Sequence, residues 1–97
     1  MKILAIEHEL PGAAAGGFQR YANDEARKVW EYHQAGILRE LYFRADKTEA
    51  VLILECESML EANEVLALLP FVQAGLITFE IIPLKAYSGF ERLFAGS

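Results

Sequence analysis

Residues 37–43 (ILRELYF) and 50–57 (AVLILECE) are two alternating apolar runs, separated only by a short stretch that ends in Asp46-Lys47-Thr48-Glu49. So short a connection cannot carry a crossover, and the two strands must pair antiparallel as a hairpin. The rest of the chain is arranged evenly about this hairpin. Residues 2–8 (KILAIEH) read as a first strand, closed by Glu9-Leu10-Pro11-Gly12. Over residues 18–35, Phe18, Tyr21, Ala22, Ala26, Val29 and Trp30 recur at helical spacings, while Asp24, Glu25, Arg27, Lys28 and Glu31 fall mostly elsewhere. Gly36 follows as a left-handed cap. Ser58 and Glu61 form a capping-box pattern that opens a second helix, with Met59, Ala62, Leu66 and Leu69 along one face and Pro70 at its end. Residues 76–84 (LITFEIIPL) supply a fourth strand, whose Pro83 marks its end or an edge position. The resulting βαββαβ order spells an α+β, ferredoxin-like sandwich with a four-stranded antiparallel sheet.

With 97 residues there is room for one domain, taken to span residues 1–97. The segment 11–17 (PGAAAGG) has no large side chain to anchor it and is expected to be a mobile loop. The net charge is −5 and no basic cluster exceeds the pair Arg27-Lys28, so no nucleic-acid partner is expected. Cys56 is the single cysteine, which excludes an intrachain disulfide and gives no support to a zinc site; no cofactor and no metal are expected. No apolar run approaches membrane length and the start MKILAIEHEL is too short for a secretory apolar core, which predicts a soluble, cytoplasmic protein without a membrane partner.

Alternation divides each strand into two faces. One set (Leu4, Ile6, His8; Leu41, Phe43; Leu52, Leu54, Cys56; Ile77, Phe79, Ile81) is almost wholly apolar and is assigned to the core beneath the helices. The other (Ile3, Ala5, Glu7; Leu38, Glu40, Tyr42, Arg44; Val51, Ile53, Glu55; Thr78, Glu80, Ile82) is apolar with one carboxylate per strand. An apolar face of this kind marks an interface, and two such sheets face to face close a dimeric α+β barrel. Hydrophobic residues at 54% of the chain fit that use.

Glu7, Glu40, Glu55 and Glu80 would then lie inside the barrel or on its rim, where burial raises a carboxyl pKa towards values useful for proton transfer. Glu7 is the first choice as proton carrier, with Glu40 and Tyr42 as acid or hydrogen-bonding partners. His8, Glu55 and Glu80 complete the candidate substrate-binding set. The site is expected between the open side of the sheet and the loop 11–17. The alternatives are that these glutamates are solvated or paired with Arg39, Arg44 or Lys85, and that His8 is a surface residue. His33, in the last helical turn, suits the helix dipole, and Trp30 and Tyr21 read as core or interface residues.

The stretch Leu66-Ala67-Leu68-Leu69-Pro70-Phe71, followed by a strand ending Ile82-Pro83-Leu84, resembles the close of the muconolactone isomerase-like family of dimeric α+β barrels. The resemblance spans almost the whole chain in its βαββαβ order. It implies a homodimer or higher homo-oligomer and a cofactor-independent isomerase or lyase that moves a proton on a small apolar carbonyl or lactone compound. The Gly/Ala loop 11–17 and the tail KAYSGFERLF depart from the family's pattern. The rival reading is a noncatalytic small-ligand-binding or assembly module, its cavity filled by Leu38, Tyr42, Ile53 and Ile82.

Overall fold

The hairpin forms as expected and the remaining elements fold around it. The computed structural model describes residues 1–96. In chain order these form β1 (Lys2–Glu9), α1 (Ala15–Gln34), β2 (Leu38–Phe43), β3 (Ala50–Glu55), α2 (Met59–Ala67), α3 (Pro70–Gln73) and β4 (Ile77–Leu84), followed by a 3₁₀ turn, Gly89–Leu93. The four strands make one antiparallel sheet in the order β2-β3-β1-β4, the ferredoxin-like arrangement, with all helices on one face.

Each long βα-to-β return is built in the same way. After α1, Gly36 takes φ +78° and donates its N–H to the His33 carbonyl, while Ile37 N–H reaches back to Tyr32 O. Gly75 repeats this after α3, with φ +74° and the bonds Gly75 N–H to Val72 O and Leu76 N–H to Phe71 O. These are Schellman closures, which need a left-handed residue and so place glycine there. Ser58 Oγ accepts the Glu61 N–H at 3.1 Å and Glu61 Oε2 accepts the Glu57 N–H at 2.9 Å, fixing the start of α2. Pro70 does more than stop α2. Lacking an N–H, it suits the first position of the next turn, and α3 starts on it. The loop 11–17 is shorter than expected, because α1 begins at Ala15. Gly17 permits this, since a Cβ there would lie 2.9 Å from Leu76 Cδ2.

The expected division of the sheet faces holds for most of β2, β3 and β4 and is reversed for β1. Ile3 pairs with Leu54 and Ala5 with Leu52, so Ile3, Ala5 and Glu7 face the helices, and Leu4, Ile6 and His8 face the open side. The two faces of β1 are nearly equal in hydrophobicity, and alternation alone could not choose between them; neighbouring strands make the choice through register. Leu38 also changes sides. A bulge between Leu38 and Glu40 breaks the alternation of β2, and Leu38 enters the core at 2% exposure.

The open face keeps the apolar character expected of it: Leu4, Ile6, Val51, Ile53 and Ile82 lie there half-buried with no helix over them. Beyond β4 the chain leaves the body. Tyr87, Phe90, Leu93 and Phe94 are between 67% and 77% exposed. The molecule is accordingly elongated, 61 × 29 × 20 Å, with a radius of gyration of 16.2 Å, against roughly 12–13 Å for a compact chain of this length.

Candidate active site

Two of the side chains that α1 turns towards the sheet are small. Ala22 and Ala26 on the helix and Ala50 on β3 leave space unfilled, and a cavity of about 670 Å³ lies between α1 and the sheet, within the usual range of small-molecule sites. Its floor is Glu7, Ala50 and Leu52, and Leu69 and Phe71 close one side. Its mouth opens over the β2 edge, where the lining residues Trp30, Leu41 and Phe43 are exposed, Trp30 by 58%. The titratable groups in the lining are Glu7, Glu25 and His33.

Glu7 is the most perturbed of these. The residue is only 8% exposed. Burial pushes its carboxyl from 4.5 up to about 7, partly opposed by a backbone hydrogen bond from Ala50 and reinforced by the nearby charges of Glu25, Glu49 and Glu9. Glu25 reaches the cavity from the apolar stripe of α1. Its Oε1 accepts the Phe71 N–H at 2.9 Å, and burial outweighs that bond to raise its pKa as well. His33 Nδ1 lies 3.1 Å from the Leu38 carbonyl oxygen. A carbonyl only accepts, so Nδ1 carries the proton and Nε2 is the ring nitrogen left for a ligand. An acid whose pKa stands near neutrality in an apolar cavity is equipped to exchange a proton with a bound molecule.

The expected site residues separate into two groups. Glu7 stands alone beneath the helices, whereas Glu40, Tyr42, His8, Glu55 and Glu80 are on the open face; the expected grouping of Glu7 with Glu40 and Tyr42 is corrected by the register of β1. The open-face groups are paired across their own surface. Tyr42 Oη donates to Glu40 Oε1 at 2.8 Å, His8 Nε2 lies 3.3 Å from Glu80 Oε1, and the N-terminal amine lies 3.2 Å from Glu55 Oε1. They are exposed pairs rather than a convergent cluster. The segment 11–17 does not border the cavity lining.

Glu25, His33 and Trp30 escaped the sequence reading as a site. For Glu25 a signal was present: Phe18, Ala22, Glu25, Val29 and Tyr32 recur at helical spacing, so Glu25 sits within an otherwise apolar stripe. Among the described residues, no group of three or more His, Cys, Asp or Glu is placed to hold a metal ion, and no helix is long and apolar enough to cross a membrane.

No protein-family model matches the chain, and no curated protein matches it in sequence. Solved structures do match. Muconolactone isomerase superposes with a TM-score of 0.76 at 17% identity, over 91% of this chain and 92% of that one. The 5-chloro-2-hydroxyhydroquinone dehydrochlorinase of Burkholderia phenoliruptrix AC1100, in complex with 2,5-dihydroxybenzoquinone, superposes with a TM-score of 0.63 at 21% identity, over 92% of this chain and 98% of that one. With its four-stranded antiparallel sheet and single helical layer, the chain has the ferredoxin-like α+β fold of muconolactone isomerase.

Proposed function

We propose that the protein is a cofactor-independent isomerase or lyase that moves a proton on a small apolar carbonyl or lactone ring bound beneath α1, with Glu7 as the proton carrier. The observation that carries this reading is the single buried carboxyl at the cavity floor, with a pKa of about 7. At neutral pH such a group is present in both forms, one to take a proton and the other to return it. In the forward step the Glu7 carboxylate removes a proton from a carbon adjoining the carbonyl, and the C–H electron pair moves into the ring to give an enolate. Isomerisation is completed when protonated Glu7 delivers the proton to a different ring carbon. In the lyase variant the enolate pair instead expels a leaving group from the neighbouring carbon. Both reactions balance without an oxidant or reductant. Protonated Glu25 is the other lining group able to donate a hydrogen bond to the substrate oxygen, and His33 Nε2 can accept one from a substrate hydroxyl. The two structural neighbours named above are a muconolactone isomerase and a dehydrochlorinase, and their names are consistent with chemistry of this kind.

The same reading makes the protein a cytoplasmic homodimer. Its uncovered apolar sheet face and the exposed aromatic tail are surfaces of the sort that a second copy covers. Solvent deuterium incorporation into an unsaturated γ-lactone, followed by NMR, tests the catalytic proposal. Wild type is expected to exchange the protons next to the carbonyl and Glu7→Gln to lose at least 100-fold in rate. A Glu7→Gln protein that exchanges at the wild-type rate would rule out the assigned role.

A further inference from the structure

We propose that this cavity selects electrically neutral ring compounds and rejects their carboxylates, an inference that rests on the cavity beneath α1 being the ligand site. The argument comes from which charges line it. Two carboxyls, Glu7 and Glu25, face the cavity, and the remaining titratable lining group is His33, whose Nδ1 is committed to the Leu38 carbonyl. Glu49 and Glu9 also lie close enough to Glu7 to oppose its ionisation, Glu49 being itself paired with Lys47 at 3.2 Å and Arg44 at 3.8 Å. No lysine or arginine lines the cavity. The basic side chains of the neighbouring elements are engaged outside the lining: Lys28 with Glu31, Arg39 with the Gly36 carbonyl, and Arg44 with Asp46 and Glu49.

An anionic ligand entering this cavity would leave water for an apolar site without gaining a counter-ion, and it would meet carboxylates on the floor and on the helix. Anion-binding sites ordinarily supply an arginine fork, a lysine or a set of converging N–H groups. Here one backbone N–H at the wall, that of Phe71, is already taken by Glu25. A neutral lactone, ketone or phenol loses less on desolvation; its oxygen can accept from a protonated carboxyl, and a phenol hydroxyl can donate to His33 Nε2. The raised pKa values of Glu7 and Glu25 express the same shortage of positive charge.

The chain holds a single tryptophan, Trp30, and it lies at the cavity mouth, so intrinsic fluorescence reports occupancy directly. The probes are benzamide and benzoate, equal in shape and unequal in charge, titrated into the full chain at pH 8. Benzamide is expected to bind at least 10-fold more tightly than benzoate. Glu25→Gln, and separately Glu7→Gln, is expected to improve benzoate binding several-fold while benzamide changes little; two variants guard against one that fails to fold. Equal affinity for the two probes, or preference for benzoate, would overturn the charge selectivity and leave the cavity intact as a site. Failure of both probes to perturb Trp30 would overturn the placement of the site itself.

Discussion

Replacing Glu7 by glutamine should make the protein more stable, by an amount set by pH. In the folded chain the carboxyl titrates near 7 instead of 4.5. Below pH 4.5 it is neutral both folded and unfolded, and burial then costs nothing electrostatic. Between 4.5 and about 7 the unfolded chain gives up this proton while the folded one keeps it, so the stability that the neutral form provides is lost across this window and is gone once pH has risen through about 7. At about 1.4 kcal/mol per decade, the gap amounts to roughly 3 kcal/mol at pH 8.5, and access of water through the cavity mouth lowers the expected figure to about 2. Glutamine has nearly the same shape and never ionises. Urea unfolding of wild type and Glu7→Gln, at one fixed protein concentration and at pH 4.5, 6, 7 and 8.5, gives the comparison. The other ionisable groups are common to both proteins, and their direct contributions largely cancel in the difference. The variant's advantage should be near zero at pH 4.5 and about 2–3 kcal/mol at pH 8.5, on the order of 10 °C in Tm for a chain of this size. An advantage independent of pH, or one that grows as pH falls, would refute the assignment of Glu7 as a buried acid.

Ile53 lies half-buried in the middle of the open sheet face, so Ile53→Glu should abolish self-association through that face, read by light scattering as a fall in molar mass; an unchanged mass would contradict the interface. Tyr32 Oη donates to the Val65 carbonyl at 2.6 Å, and Tyr32→Phe should lower unfolding stability by about 1–2 kcal/mol. No measurable loss in urea unfolding would mean that this bond adds nothing to the docking of α1 on α2.

The order of elements could be read from the sequence because each was marked by local chemistry: the brief polar connection before Ala50, the Ser58/Glu61 box, and the glycines at 36 and 75. The site was less legible. Ile3 and Ala5 on one side of β1, and Leu4 and Ile6 on the other, give alternation no gradient, so the face carrying Glu7 was decided by pairing with Leu52 and Leu54, a long-range matter. Leu38 was hidden by a bulge that no residue pattern announced. The cavity itself is an absence of side chain. Ala22, Ala26 and Ala50 are scattered over a helix and a strand, and only folding brings them opposite one another. The sequence predicts Glu7 as a proton carrier on the open face; in the structure it faces α1 and an apolar hollow, with Glu40 and Tyr42 on the far side of the sheet.

The hollow also governs how α1 is held. At its last turn His33 ties it to β2 through the Leu38 carbonyl, and its other ties run sideways to the other helical segments: the Phe18 ring meets Phe71 edge-on at 5.2 Å, Glu25 takes the Phe71 N–H, and Tyr32 reaches Val65. Val29 and Tyr32 pack on the core, but at Ala22 and Ala26 the helix offers only alanines over empty space. Over the hollow, α1 is thus held by the other helical segments more than by the sheet, and its middle turns should open locally while β1, β3 and β4 stay paired. In amide hydrogen exchange α1 would then lose its protons earlier than the central strands. A molecule seated in the hollow restores the missing contacts, and slower exchange confined to α1 becomes its signature.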